Sequence, residues 1–337
     1  MKQKNSFSGQ IGFVFAAAGS AVGVGNLWRF PYLAAKDGGG LFLLIYLVLV
    51  LTVGFVLLTT DIAIGRKTGK SAIYAYESMQ KKWKFLGVIT FLVPVLIMTY
   101  YAVIGGWILR YIVIYLTSSG KQAVADDCFT AFISSPSSVW YGLIFMLLTA
   151  LIVYNGVEDG IERVSKFIMP VLLIMVIGIA IFSLTLKTTL DDGTVRTGLQ
   201  GLKVYMKPDL TGITVGRFLQ ITLDAMSQLF FSLSVSMGIM ITYGSYVKKD
   251  VDLNKAVSQI EIMDTGVAFL AGVMIIPAVF VFSGLDGMSA GPGLMFVSLP
   301  KVFYSMGTVG RVIGILFFVL AGFAALTSCI SVLESIT

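Results

Sequence analysis

The chain has 337 residues, of which 57% are hydrophobic and 12% are charged, and its mean hydropathy is +0.90. These values lie far outside the range of soluble domains and are typical of a polytopic membrane protein. The formal net charge of +6 is explained by basic cytoplasmic loops and requires no nucleic acid partner. The chain has no histidine, which removes the commonest general base and metal ligand, and Cys128 and Cys329 lie too far apart in the predicted topology to form a disulfide.

Eight apolar runs are long enough to cross a bilayer, which takes about 20 residues each; they cover residues 11–35, 40–64, 86–116, 139–155, 165–186, 216–246, 256–284 and 309–337. The polar start leads into a full-length span, not into a short signal sequence, so we expect that span to stay in the protein. With the N-terminus in the cytoplasm, thirteen lysines and arginines lie in inner loops and seven in outer loops. The positive-inside rule therefore predicts a multi-pass protein of the cell's inner or plasma membrane with a cytoplasmic N-terminus.

The first span is interrupted at mid-length. Its residues 19–31 read GSAVGVGNLWRFP, which places glycines, an amide, an arginine and a proline in an apolar run. In hydrocarbon every backbone amide and carbonyl needs a partner inside the protein, so non-helical backbone is tolerated only where it lines a cavity or contacts a ligand. Close helix packing on Gly23 and Gly25 is the alternative explanation. Because Asn26 and Arg29 accompany the glycines, we interpret the interruption as a binding site.

A second interruption lies in the sixth span, where residues 231–238 read FSLSVSMG. The first and sixth spans are five apart, so two inverted repeats of five helices would bring both breaks together at the bilayer midplane, as in secondary transporters. We therefore predict an all-α polytopic membrane protein, a single transmembrane domain over 1–337, with an inverted five-helix repeat and broken helices 1 and 6. Its parts are a first repeat (1–186), an outer loop with short surface helices (187–215), and an incomplete second repeat with spans 6–8 (216–337). Because the sequence stops within an apolar helix, we expect a truncated chain.

The residues at both breaks are similar to those of the neurotransmitter:sodium symporter family, in its bacterial amino-acid transporter branch. The resemblance runs from residue 10 to residue 337 and is carried by AGSAVGVGNLWRFPY (18–32), GGG (38–40), ITYGSY (241–246) and LTS (326–328). It implies the leucine-transporter fold and a sodium-coupled importer of an apolar or aromatic amino acid that works by alternating access. The implied partners are the amino-acid substrate, two sodium ions and the lipid bilayer.

The resemblance also implies two sodium sites built from oxygen ligands, which a hard cation prefers. The first site would comprise Ala21, Asn26, Ser232 and Asp264. The second would comprise Gly19, Val22, Ala324, Thr327 and Ser328. For Thr327 the alternative is a hydroxyl bonded back to a carbonyl of its own helix.

Asp264 is the most diagnostic side chain outside the first span, because a carboxylate in the middle of a span is functional by default. The resemblance implies that this carboxylate, near Tyr46, Gln228 and Ser232, replaces the chloride ion that other family members bind. We therefore predict chloride-independent transport. The alternative is a structural acid paired with Arg29 or another base.

The positions that match the family's substrate pocket give an apolar cavity with a few polar groups; they are Ala21, Val22, Gly23, Gly25, Ile97, Tyr101, Phe231, Ser232, Ser234, Met237, Ser328 and Val332. Tyr101 would donate its hydroxyl proton to the substrate carboxylate, or would be an ordinary core residue. Phe231 would cap the site, and Arg29 would form an outer gate with an acid of a tenth span that this sequence does not include. Ser236 stands where many relatives have glycine and would narrow the pocket.

Three further features concern the inner side of the predicted transporter. Lys4 and Phe7 lie where relatives latch the N-terminal tail. The spacing of Gly160 and Pro170 resembles one at which the inner end of the fifth span unwinds. Asp61 precedes Gly65 near the inner end of the second span, and we expect it to brace the second break.

Two other classes of function stay open from the residues alone. An intramembrane enzyme would need paired catalytic groups such as Asp61 and Asp264, but Asn26 stands where an acid would be needed, and no histidine assists. We therefore predict no enzymatic activity. A binding-only protein, either a sodium-dependent amino-acid sensor or a non-transporting truncated chain, would show binding without uptake.

Overall fold

The computed structural model describes residues 6–118, 120–190 and 192–337, and most of them lie in helices. In the first half the helical segments are α1 (Gln10–Ala21), α2 (Val24–Leu27), α3 (Arg29–Lys36), α4 (Gly40–Leu49), a π-helical turn (Val50–Gly54), α5 (Phe55–Thr68), α6 (Ala72–Met79), a 3-10 turn (Lys81–Trp83), α7 (Lys84–Ser118), a 3-10 turn (Lys121–Val124), α8 (Cys128–Ile133), α9 (Pro136–Tyr154), a second π-helical turn (Val157–Glu162) and α10 (Arg163–Thr185). The first predicted span is thus divided among α1, α2 and α3.

The second half begins with an antiparallel hairpin, β1 (Lys187–Thr189) and β2 (Val195–Thr197). Its helical segments are α11 (Gly198–Met206), α12 (Val215–Ser232), α13 (Ile239–Ser245), α14 (Leu253–Ser283), a 3-10 turn (Leu285–Gly287), a π-helical turn (Leu294–Ser298), α15 (Leu299–Ser305) and α16 (Thr308–Ile336). The sixth predicted span is therefore also broken, between α12 and α13.

Within the described part of the chain, six helices are long and apolar enough to cross a membrane. The pair Gln10–Ala21 and Val24–Lys36, bent by 57°, makes a seventh. The one remaining predicted crossing, the sixth in chain order, corresponds to α12 and α13, which six residues separate, so the count of eight stays a prediction. The all-α fold with broken first and sixth spans is confirmed.

Among the six long apolar helices, α14 and α16 are the most buried. In the most apolar stretch of α16, 78% of the residues are buried, whereas in the corresponding stretch of α9 only 17% are buried. A helix that is apolar all round and buried belongs to the centre, and one whose apolar side chains stay exposed faces lipid. The centre of the molecule is therefore formed by α14 and α16, against which α1 and α10 pack.

The connection between the halves, predicted to lie on the outer side, packs onto the central helices. Thr197 caps α11 by accepting a hydrogen bond from the Gln200 N–H, and the Gln200 side chain in turn accepts from the Thr197 N–H. The ring of Tyr205 is completely buried, and its hydroxyl donates to the Phe269 carbonyl at 3.2 Å. The 187–215 loop thus carries a short helix, as expected, but that helix packs onto α14 and does not lie free on the surface.

The N-terminal tail is fixed on the opposite side of the molecule. The ring of Phe7 is 1% exposed and packs against Phe13, Tyr243 and Tyr246. The Phe7 N–H donates to the Tyr246 carbonyl at 3.2 Å. The predicted latch residue Lys4 lies outside the described residues, whereas Phe7 occupies a buried latch position.

The next residue of the tail, Ser8, is held by charged groups. Its N–H donates to the Glu162 carboxylate at 2.8 Å, its hydroxyl contacts the same carboxylate, and its carbonyl accepts from Lys248 Nζ at 2.9 Å. Glu162 is 1% exposed and also pairs with Lys166. The π-helical turn that contains Gly160 leads directly into α10, which continues through Pro170, so the predicted inner end of this span is helical in this structure.

Candidate functional site

The first break is stabilised by its own asparagine. Helix α1 ends at Ala21, Val22 and Gly23 are extended, and α2 begins at Val24. The Oδ1 atom of Asn26 accepts a hydrogen bond from the Gly23 N–H at 3.1 Å. The amide therefore satisfies one backbone donor that the interruption would otherwise leave without a partner.

The second break contains strained backbone. Helix α12 ends at Ser232, and Ser234 and Ser236 have φ values of 53° and 60°, in the left-handed region that side chains other than glycine rarely adopt. The Asp61 carboxylate accepts a hydrogen bond from the Ser236 N–H at 2.7 Å. The prediction that Asp61 braces this break is confirmed.

Asp264 joins the two breaks. Its carboxylate is fully buried and accepts hydrogen bonds from Asn26 Nδ2 at 2.8 Å and from Ser232 Oγ at 2.8 and 2.9 Å. The structure therefore brings together three of the four residues of the predicted first sodium site, and the fourth, Ala21, lines the adjacent cavity. Arg29 does not pair with Asp264.

The predicted second sodium site lies where α1 meets α16. The Ser328 hydroxyl is 3.5 Å from the carbonyl oxygens of both Gly19 and Val22. The Thr327 hydroxyl donates to carbonyls of its own helix, at 3.0 Å to Phe323 and 3.3 Å to Ala324. All five predicted residues are therefore close together, and Thr327 also makes the back-bond that was the alternative explanation.

A cavity of about 30 Å³ lies between the two breaks. Nine of the twelve predicted substrate residues line it, namely Ala21, Gly23, Ile97, Tyr101, Phe231, Ser234, Met237, Ser328 and Val332. Val22, Gly25 and Ser232 do not line it. Ser20 and Ile239 line it without having been predicted, and so does Asn26, which was assigned to sodium. Ser20 belongs to the interrupted string, so its position in the sequence was a signal for it.

Glycines let the first break approach the cavity side chains closely. A Cβ atom at Gly23 would lie 2.9 Å from both Ser328 Oγ and the Tyr101 hydroxyl. A Cβ atom at Gly25 would lie 2.6 Å from the Phe231 ring, which explains why Gly25 packs behind the ring and not in the cavity. The Tyr101 hydroxyl accepts a hydrogen bond from the Val24 N–H at 3.3 Å, so this tyrosine is part of the site and not only of the core.

The predicted gate residues lie on one side of the cavity. Arg29 donates to Ser227 Oγ at 2.8 Å and to Gln228 Oε1 at 3.3 Å. Phe231, one helical turn further along α12, lines the cavity itself. Arg29 is thus held against α12, on the same helix face as the capping ring.

Groups that an enzyme would use are otherwise engaged. Asp61 and Asp264 accept hydrogen bonds from different partners, the Ser236 backbone on the one hand and Asn26 with Ser232 on the other. Burial raises the pKa of the Cys128 thiol at the start of α8, which disfavours the reactive thiolate. The site is therefore suited to binding a cation and a small polar molecule, not to covalent chemistry.

The comparison with protein families decides the class. A family model described as "Sodium:neurotransmitter symporter family" matches residues 4–137 and 126–337. The chain belongs to this family. Because this is a family of transporters, the alternative of an intramembrane enzyme is excluded. The sodium dependence of the family implies that this multi-pass membrane protein uses sodium.

Individual relatives agree with this assignment. YhdH of Bacillus subtilis (strain 168), an uncharacterized sodium-dependent transporter, is 38% identical over 338 residues, which cover 98% of this chain and 71% of the relative. An uncharacterized sodium-dependent transporter of Haemophilus influenzae is 33% identical over a match that spans 99% of this chain and 73% of the relative. The crystal structure of MhsT in complex with L-phenylalanine superposes with a TM-score of 0.84 at 39% identity, covering 98% of this chain and 73% of MhsT.

Proposed function

We propose that this protein imports an amino acid with an apolar or aromatic side chain, driven by two sodium ions and independent of chloride. The observation that carries the proposal is the fully buried Asp264 carboxylate, which Asn26 and Ser232 connect to both broken helices. A buried charge is unfavourable without a counter-charge, and a bound cation would supply one. Because the carboxylate is a fixed negative charge, no mobile anion is needed at this point.

The second proposed ion would bind the oxygens between α1 and α16. A hydroxyl has one proton and two lone pairs, so Thr327 and Ser328 can donate to carbonyls and still present lone pairs to a cation. The carbonyls of Gly19 and Val22 near Ser328 are free of an intact helix because α1 ends at Ala21. This set of neutral oxygens is typical of a site for a hard monovalent cation.

The cavity supports an amino-acid substrate. The Tyr101 hydroxyl proton is a donor for a carboxylate, and Ala21, Ile97 and Val332 are apolar walls for a side chain. A cavity of about 30 Å³ has room for roughly two water molecules, so it must widen to admit an amino acid. Met237 is an unbranched, flexible side chain that can repack as the cavity widens. The related MhsT holds L-phenylalanine.

Sodium coupling supplies enough free energy for import. At a membrane potential of about 100 mV each sodium ion contributes ~2.3 kcal/mol. Two ions therefore contribute ~4.6 kcal/mol, which corresponds to roughly three decades of substrate accumulation. We propose that the two broken helices move against the remaining spans to expose the site to each side in turn.

Uptake into proteoliposomes tests the proposal. Radiolabelled L-phenylalanine should enter only with an inward sodium gradient, and replacing chloride by gluconate should leave the rate unchanged. Asn26→Ala should abolish sodium-dependent uptake, whereas Asn155→Ala, at an exposed asparagine, should not. Sodium-dependent binding without uptake would favour a binding-only protein, and a loss of uptake in gluconate would refute chloride independence.

A further inference from the structure

Three serine hydroxyls from three different segments meet beside the cavity. Ser331 Oγ of α16 donates to Ser20 Oγ of α1 at 2.7 Å. Ser20 Oγ lies 3.5 Å from Ser234 Oγ of the second break, and Ser234 Oγ lies 3.4 Å from the Ser20 carbonyl. Ser20 and Ser234 line the cavity, and Ser331 is completely buried behind them. We call these three residues the serine cluster.

The serine cluster uses its protons internally. Each hydroxyl has one proton and two lone pairs. The Ser331 proton has two acceptors, Ser20 Oγ at 2.7 Å and the Ser328 carbonyl at 2.8 Å. The Ser20 and Ser234 protons have acceptors in each other and in the Ser20 carbonyl. With all three protons satisfied by these protein acceptors, Ser20 Oγ and Ser234 Oγ keep unused lone pairs at the cavity wall.

The rest of the cavity has a different polarity. Tyr101 supplies a hydroxyl proton suited to a carboxylate. Other residues of the cavity lining are apolar, among them Ile97, Ile239 and Val332. The α-ammonium group of a substrate also needs acceptors, and the carbonyls that the two breaks release from helical bonding supply them. Ser20 Oγ therefore remains for a different group of the substrate.

We propose that Ser20 is a side-chain subsite, oriented by Ser331, which accepts a hydrogen bond from a donor on the substrate side chain. This inference rests on the proposed function and names its substrate class. The substrate is a largely apolar amino acid with one side-chain donor, of the indole N–H or hydroxyl type. Ser20 acts directly on the substrate, and Ser331 is a positioning residue.

Isosteric pairs of ligands test the subsite in the unmodified protein. L-Tryptophan and L-3-benzothienylalanine differ by an N–H replaced with sulfur, and L-threonine and L-valine differ by a hydroxyl replaced with methyl. Within the pair that fits, the donor should bind about threefold to tenfold more tightly in sodium buffer, because a net hydrogen bond to a neutral group has that effect. Both members of a pair carry the same α-ammonium and carboxylate groups, so those groups cancel in the comparison.

Variants locate the effect. Ser20→Ala should remove the preference for the donor while leaving the affinity for L-3-benzothienylalanine or L-valine within about twofold, since only the donor's hydrogen bond is lost. Ser331→Ala should reduce the preference, because Ser20 Oγ loses the group that orients it. Ser335→Ala is the matched control, since this buried serine lies one turn along α16 and bonds only to its own helix, at the Val332 carbonyl. It should leave the preference unchanged.

The outcomes separate the subsite from the proposed function. Equal affinities within both isosteric pairs of the unmodified protein would overturn the subsite even if no variant folds. A Ser20→Ala variant that weakens both members of a pair equally would also overturn it, since the serine cluster would then serve the α-ammonium group or packing alone. In both cases sodium-dependent binding of an amino acid would remain, so the proposed function would stand. No sodium-dependent binding of any of the four ligands would overturn the proposed function and the subsite together.

Discussion

Asp264→Asn separates the charge of Asp264 from its hydrogen bonds. In the structure Oδ1 accepts from both Asn26 Nδ2 and Ser232 Oγ, each at 2.8 Å, whereas Oδ2 contacts only Ser232 Oγ, at 2.9 Å. An asparagine with its oxygen at the Oδ1 position still accepts from Asn26 Nδ2 and Ser232 Oγ. Its NH2 group then faces the Ser232 hydroxyl, which can also accept a hydrogen bond. We therefore expect the free energy of unfolding to fall by less than about 1.5 kcal/mol, the net contribution of one hydrogen bond.

The sodium affinity should change much more. Replacing a charged ligand by a neutral one removes an interaction of about 1.5 to 3 kcal/mol, by analogy with hydrogen bonds to charged groups. This range corresponds to roughly a tenfold to hundredfold rise in the sodium concentration for half-maximal substrate binding. The assay is a sodium titration of radioligand binding to purified protein, with thermal unfolding of the same samples as the measure of stability.

Glu261→Gln is the matched control for replacing a buried carboxyl group by an amide on the same helix. Glu261 lies one turn before Asp264 and is 5% exposed, and its Oε1 atom has no hydrogen-bond partner among the described residues. Its variant should leave the sodium titration within about twofold, because it holds neither of the broken helices. An unchanged titration for Asp264→Asn would refute the first sodium site. An equal shift for both variants would show that buried carboxyl groups on α14 act on sodium through long-range electrostatics, and that Asp264 is not a direct ligand.

Three further changes test the breaks and the tail. Gly25→Ala should weaken substrate binding about tenfold because its Cβ would press on Phe231. Gly266→Ala is the control and should leave binding unchanged, since a Cβ atom there meets nothing within 4 Å. Equal radioligand affinities for the two variants would contradict the packing argument. Ser236→Gly should raise the free energy of unfolding by about 1 kcal/mol, because glycine adopts the left-handed backbone at this position without strain. The measurement is the midpoint of thermal unfolding in detergent, and a lower midpoint than that of the unmodified protein would contradict the prediction. Phe7→Ala should remove about 3 kcal/mol or more of packing free energy from the tail. Backbone amides of α1 should then exchange hydrogen faster, and unchanged exchange rates would show that the Phe7 ring does not hold the tail.

Features that depend on local chemistry were predictable from the sequence. Glycines and serines inside apolar runs marked both breaks, because hydrocarbon does not tolerate free backbone groups without a purpose. The relation between Asp61 and the second break also followed from the sequence, since a buried acid needs donors and a break exposes backbone N–H groups. The all-α fold followed from the hydropathy and the family resemblance.

Features that depend on long-range packing were not predictable. Ser331 carries no signal of its own, because a serine in a span most often bonds back to its own helix, and only the approach of α1 makes it a partner of Ser20. The contact between Ser8 and Glu162 joins residues 154 positions apart, and the π-helical turn that presents Glu162 has no sequence marker. The predicted second sodium residues were brought together, yet the back-bond of Thr327 could be decided only from the side-chain rotamer.

The fixed N-terminal tail has a consequence for how the molecule can move. Within two residues the tail is bound to Glu162, which belongs to the first predicted repeat, and to Tyr246 and Lys248, which belong to the second. It thus acts as a strap across the boundary between the halves. A displacement of one half against the other would have to break both the packing of the buried Phe7 ring and the hydrogen bonds of Ser8, which are adjacent in the chain. The strap therefore couples the two halves through neighbouring residues, so that loss of the tail would remove the Phe7 and Ser8 contacts together.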